Sequence, residues 1–136
     1  REFIFQLDGA NGNRHLESAY EEEVYGCVGL FDESGGAGIL PDGWPKPIYT
    51  EVTLGEHGEG VEYHAYHGYA GGLGPDNLRE QIPFILEAAA GTEHTQEGRI
   101  WIDMETRVRS RNDQQFDLKL VRRCLEIASE FVCVRA

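Results

Sequence analysis

Four short apolar runs, each giving way to a glycine-rich or acidic turn, constrain this chain more than any other feature. Residues 2–7 run into Asp8-Gly9, residues 24–31 into Asp32 and the loop Ser34-Gly35-Gly36-Ala37-Gly38, and residues 64–70 into Gly71-Gly72. Residues 99–104 carry Ile100, Trp101, Ile102 and Met104 around Asp103 and lead into a polar loop. Runs of this length bounded by turn formers read as strands, and near-continuous apolar character is what strands buried on both faces need. Between the last two runs, Leu78, Ile82, Ile85 and Ala89 recur at helical spacing, with Pro75 suited to a first helical turn and Pro83 expected to kink or divide the helix. A final helix is expected from near Asp117, with Leu118, Val121, Cys124, Leu125 and Ala128 as its apolar band and Asp117 or Asp113 as its cap. A brief helix is read around Leu16, Ala19 and Tyr20. Strands alternating with helices favour a parallel α/β architecture over a sandwich.

The stretch between the second and third runs departs from that rhythm. Pro41, Pro45 and Pro47 disfavour a helix, while residues 48–54 and 61–69 flank a GEHGEG turn. An antiparallel hairpin insertion over residues 48–69 is the expectation.

With 136 residues the chain is read as one domain, well short of the ~250 typical of a complete eight-stranded α/β barrel. It opens directly on Phe3-Ile4-Phe5 and reads as a piece beginning mid-fold, whose first strand presents an unpaired edge. A net charge of −12 repels a phosphate backbone, which argues against nucleic-acid binding. The absence of a long uncharged apolar run argues against a membrane span. Cys27, Cys124 and Cys133 lack close pairing, so neither a disulfide framework nor a CxxC metal site is expected, and a reducing, cytoplasmic setting follows.

Several motifs bear on chemistry. Asp32 at a strand end is either an acid/base group or a loop-turning residue bonded to its own backbone. Gly71-Gly72 before a helix suits either a phosphate dianion or merely a tight connection. Lys119, Arg122 and Arg123 read as a solvated helix face. His64 and His67, three apart on a strand, point to opposite faces and read as core or surface histidines, so no metal site is expected. Tyr63, Tyr66 and Tyr69 read as packing residues. No Walker loop, GxGxxG or GxSxG elbow is present, and no cofactor is implied.

Taken in order, Gln6-Leu7-Asp8-Gly9, Asp32 with Ser34-Gly35-Gly36-Ala37-Gly38, Ala70-Gly71-Gly72-Leu73, and the stretch from Asp103 to Arg109 resemble the carboxyl-terminal half of the phosphoribosylanthranilate isomerase family. Their counterparts there are a QLHG-like strand end, an aspartate before GGTG, AGGL before a helix, and DVSSGVE. The resemblance implies a partial TIM-type (βα) barrel completed by a complementary half or by another copy. It also implies an Amadori rearrangement of an aminoaldose phosphate in tryptophan biosynthesis. Asp32 then matches the general acid, and Gly71, Gly72, Thr106 and Arg107 match the phosphate site. Three positions depart from the pattern: Asp8 replaces the His, Arg107 the Gly of SGVE, and Arg109 its Glu. A bulky Arg107 either contacts phosphate directly or blocks the backbone site, and a positive φ there would be costly. The family's catalytic base is a Cys at the end of its first strand, and none of the three cysteines here matches it. Two readings outside enzymology stay open: a noncatalytic phosphate-binding domain, and a structural subunit that associates through its sheet edges.

Overall fold

A computed structural model describes residues 3–7, 27–47, 50–54, 59–63, 67–90, 100–112 and 114–132. Four short strands form one all-parallel sheet: β1 (Phe3–Leu7), β2 (Cys27–Phe31), β5 (His67–Tyr69) and β6 (Ile100–Ile102), side by side in that order. Between β2 and β5 the chain inserts an antiparallel hairpin, β3 (Thr50–Leu54) with β4 (Glu59–Tyr63), which forms its own two-stranded sheet. The expected hairpin is therefore present but ends earlier, because His67 to Tyr69 are needed by the parallel sheet. The strand of residues 99–104 likewise contracts to Ile100–Ile102.

The register matters most for function. Leu7 pairs with Phe31, Phe31 with Tyr69 and Tyr69 with Ile102, so all four strands finish on one line. The ladder extends one residue further, through Asp32 N–H to Leu7 C=O, Ala70 N–H to Phe31 C=O and Asp103 N–H to Tyr69 C=O. The described segments leaving β2, β5 and β6 thus depart from the same level.

Alternation along a strand sends successive side chains to opposite faces. Leu7, Phe31 and Tyr69 share one face and join Leu73, Leu78, Ile82, Ile85, Ala89, Val108, Cys124 and Ile127 in a single core. His67 lies on this face too, buried and stacked on Phe31 with ring centroids 5.3 Å apart. Gln6, Leu30, Gly68 and Trp101 share the other face, where the Trp101 ring lies directly over Gly68. A Cβ at Gly68 would come within 2.3 Å of that indole, so glycine there makes room for the tryptophan.

Helix α1 (Leu78–Ala90) buries the stripe its spacing predicts, Leu78, Ile82, Ile85 and Ala89. Pro83 lies on its exposed side and neither ends nor divides it. Pro75 precedes the helix by three residues in a turn, so it is not the first helical residue. Helix α2 (Leu118–Ser129) starts at an Asp117 cap whose carboxylate accepts the Lys119 N–H at 2.9 Å. It buries Cys124 and Ile127, but Leu118 and Leu125, expected in its core band, are 78% and 64% exposed. Lys119, Arg122 and Arg123 are exposed, as a solvated face requires. Arg79 of α1 grips Glu130 with both guanidinium nitrogens and pins the two helices together.

The proline-rich strap of residues 39–47 crosses the helix-bearing side. Trp44 donates its indole N–H to Gln81 of α1 at 3.0 Å, and the Tyr69 hydroxyl donates to Pro45 C=O at 3.1 Å. The described part of the connection between β2 and β5 is therefore a strap and a hairpin. Among the described residues no helix is long and apolar enough to cross a membrane. The helix read around Leu16, together with Asp8, His64, Tyr66, Asp113 and Cys133, lies outside the described residues.

Candidate functional site

Two glycine loops and the turn after β6 meet above the strand ends. They enclose a cleft lined by Asp32, Ser34, Gly36, Gly38, Ala70 to Leu73, and Asp103 to Arg107. The five site residues expected from the sequence, Asp32, Gly71, Gly72, Thr106 and Arg107, all line it. The space in it open to the centre of a water-sized sphere is about 30 Å³. One water needs ~10–15 Å³ on this measure, so the recess is small.

The loops approach this closely because of their glycines. Gly71 and Gly72 adopt φ of 118° and 58°. A Cβ at Gly72 would fall 2.6 Å from Leu40 N and 2.7 Å from Gly38 O, so only glycine lets the second loop pass against the first. Gly74 does the same for the third segment: its Cα lies under the Arg107 side chain, where a Cβ would come within 2.6 Å of Arg107 Cβ. Asn77 clips the second loop from below, accepting the Gly74 N–H and donating to Gly72 C=O, both at 2.9 Å. The N–H groups of Asn77 and Leu78 bond back to Gly74 C=O. Those two N–H groups at the start of α1 are therefore taken up within the turn. Among the described residues, the amides of Gly71, Gly72 and Leu73 bond to no acceptor.

Asp32 is 9% exposed and held from three directions. Gln6 Nε2 donates to Oδ2 at 3.1 Å, while Oδ1 accepts the Ser34 N–H at 3.1 Å and the Ser34 hydroxyl at 2.6 Å. The Ser34 contacts are an Asx-turn, so the loop-turning role weighed against catalysis is fulfilled. The two roles are compatible in geometry, since Asp32 still lines the cleft. All three contacts present a proton to Asp32, so its oxygens act here as acceptors; donating a proton to a substrate would require it to carry one.

Arg107 sits in a single 3₁₀ turn, Thr106–Val108, whose backbone angles are right-handed. The strain that a positive φ would impose on this non-glycine residue is therefore avoided. Its stem covers Gly74 and the side chain is exposed at the cleft rim. Arg109 does not line the cleft; its guanidinium stacks 5.2 Å from the centroid of Phe116. Asp32, Asp103 and Glu105 give the cleft more carboxylates than its one guanidinium can balance, so an anion must rely on backbone amides as well as Arg107.

Cys27 opens β2 and so lies about 13 Å below the strand's carboxyl end at ~3.3 Å per residue, far from the cleft. Cys124 is buried in the core, where desolvation pushes its thiol up, with Arg123 opposing and Asp76 adding to the rise. His67 is a core residue, and among the described residues no three His, Cys, Asp or Glu side chains form a metal-holding group.

Gln6, Gly38, Gly74 and Asn77 are site-shaping residues that sequence reading did not single out for these roles. Only Ser34, two residues after Asp32, carried a local signal, the Asx-turn spacing. Compared with protein-family models, curated proteins and solved structures, the chain matches none.

Proposed function

We propose that this cleft is a sugar-phosphate site and that the chain is an isomerase-like (βα) half barrel acting on an aminoaldose phosphate. The observation that carries the reading is the gathering of Asp32, Gly71, Gly72, Thr106 and Arg107, from three segments far apart in sequence, around one recess at the carboxyl ends of parallel strands. That end of a parallel α/β sheet is where ligands collect. The phosphate rests on the amides of Gly71 and Gly72 with Arg107 closing over it, and Thr106 flanks it from the β6 turn. The sugar lies toward Asp32, which in protonated form gives its proton to the ring oxygen as the ring opens. Electrons of the ring C–O bond pass to that oxygen, the nitrogen lone pair completes a protonated imine (iminium), and loss of the C2 proton to a base neutralises it as the enolamine that becomes the aminoketose. That base is not one of the cysteines described above.

The direct test is a fluorescence assay for loss of phosphoribosylanthranilate by the chain, by Asp32→Asn and by a complete-barrel control. Turnover that falls about 10²–10⁴-fold in Asp32→Asn supports the acid role. Equal activity of wild type and variant removes Asp32 from the mechanism. The Asx-turn and the Gln6 contact favour a second reading, in which Asp32 only shapes the loop and the cleft holds a phosphate ligand without turning it over. Inorganic phosphate binding that weakens in Arg107→Ala, with no turnover by the wild type, selects that reading.

A further inference from the structure

We propose that the groove between the proline-rich strap and α1 is a second ligand site, on the helix-bearing side of the sheet, and that it takes an organic ammonium ion with an aromatic or aliphatic body. It shares no lining residue with the cleft at the strand ends, so the inference stands independently of the isomerase reading. On the measure that gives the cleft about 30 Å³, the groove offers about 470 Å³, within the ~300–1,000 Å³ range of small-molecule sites.

Its walls are fixed by contacts within the chain. Pro41, Pro45 and Pro47 restrict the strap backbone. Trp44 is held at two points: its indole N–H donates to Gln81 Oε1 at 3.0 Å, and its ring meets Tyr69 edge-on with centroids 5.9 Å apart. The Tyr69 hydroxyl in turn donates to the carbonyl of Pro45, the next strap residue. The facing wall is a second row on α1. Gln81, Phe84 and Ala88 recur at helical spacing, about 100° around the helix from the buried stripe. Leu40, Pro41, Trp44, Phe84 and Ala88 thus give the groove an apolar lining with two aromatic rings, and Phe84 is left 52% exposed. Aromatic faces open to solvent beside a rigid indole are what a cation–π contact uses.

Charge selects among ligands with an apolar body. Asp42 and Glu87 also line the groove, both exposed, and among the described residues neither carboxylate takes part in an ion pair or a side-chain hydrogen bond. Lys46 is the groove's one ammonium, so two carboxylates leave the rim net negative. The chain's net charge of −12 adds a field of the same sign, which draws cations and turns anions away. A ligand ammonium set against the rings and the rim carboxylates, with its carbon body over Phe84 and Leu40, meets both the apolar and the charged part of this lining.

The test is titration of the full chain, labelled with nitrogen-15, with 2-phenylethylammonium chloride. The reporter is the Trp44 indole N–H resonance, assigned by its loss in Trp44→Phe. The expected result is a saturable shift with a Kd of about 1 mM. Phe84→Ala is expected to weaken binding about tenfold, and Asp42→Asn combined with Glu87→Gln about threefold, the modest worth of exposed charges. All three positions are exposed, so the far-UV circular dichroism is expected to stay unchanged. The neutral 2-phenylethanol and the anionic 3-phenylpropanoate are expected to bind at least about threefold more weakly than the ammonium. No saturable shift up to about 20 mM, an affinity untouched by Phe84→Ala, or equal binding of the alcohol or the carboxylate overturns the proposal.

Discussion

The loop after β2 and the loop after β5 are both glycine-rich, both leave the sheet at the same level, and both line the cleft, yet they need glycine for different reasons. In the first, Gly35 and Gly36 have φ of 56° and 85°, and a Cβ on either would meet nothing within 4 Å. These two glycines serve backbone conformation alone, whereas Gly38, with a φ of 68°, also lies where a Cβ would come within 3.1 Å of Thr106. In the second, Gly72 combines a φ of 58° with backbone atoms of the first loop at 2.6–2.7 Å. Here glycine is required by conformation and by contact together. The tip of the first loop stands clear of its neighbours; the second loop is the keystone against which residues 38–40 and the β6 turn pack.

Gly72→Ala is the severest test of that difference. It combines left-handed backbone strain of about 1–2 kcal/mol with overpacking of about 1–3 kcal/mol, so a loss near 3 kcal/mol is expected. The measurement is the urea midpoint at constant slope. A loss below about 1 kcal/mol would show that the loops part easily and would erase the contrast.

Asp32→Ala comes next, because it removes the first loop's anchor. It deprives the Ser34 N–H and hydroxyl and the Gln6 amide of their acceptor, and stranding such donors costs about 1–3 kcal/mol. Asp32→Asn keeps an oxygen for Ser34, and a rotated Gln6 amide can accept from the new side-chain nitrogen. It is therefore expected to cost under about 1 kcal/mol. Comparing the two by urea unfolding separates the structural duty of Asp32 from any proton transfer, since Asp32→Asn keeps the loop and loses the ionisable proton.

Gly36→Ala is expected to cost only about 1 kcal/mol, the strain of a left-handed alanine in open space. Ligand affinity should follow the same order, with Gly72→Ala abolishing inorganic phosphate binding and Gly36→Ala leaving it within a few-fold. Equal losses in the two variants would mean that the first loop packs as tightly as the second.

What the sequence disclosed follows the range of each interaction. The α1 stripe at 78, 82, 85 and 89 is a local periodicity, and every member is buried. Gathering Asp32, Gly72 and Arg107 at one cleft required only that parallel strands end together, which the four apolar runs already implied. The same periodicity applied to α2 overstates its core: Leu118 and Leu125 are apolar and correctly spaced, but spacing does not say whether a neighbour is present to cover them. The Gly38–Thr106 and Gly74–Arg107 approaches, and the Gln6–Asp32 bond across 26 residues, depend on which loops touch, and no local pattern encodes that.

The smallest effect concerns the side of the second loop that faces the core. Desolvation by burial pushes the Cys124 thiol above its ordinary value of 9.0, Arg123 lowers it, and Asp76, in the turn that ends this loop, raises it. A raised thiol keeps its proton in the folded chain at pH values where the unfolded chain has lost it. Its contribution to stability is therefore complete below the ordinary thiol range and is lost as the pH climbs through that range toward the folded value. Urea midpoints measured from about pH 7 to 10 are expected to fall at the alkaline end in the wild type and to fall less in Cys124→Ala. Asp76→Asn is expected to reduce the fall without removing it, because Asp76 acts after burial and against Arg123. If the alkaline fall were unchanged in Cys124→Ala, the thiol would not be its source. If Asp76→Asn changed nothing, Asp76 would not be among the groups that raise the thiol.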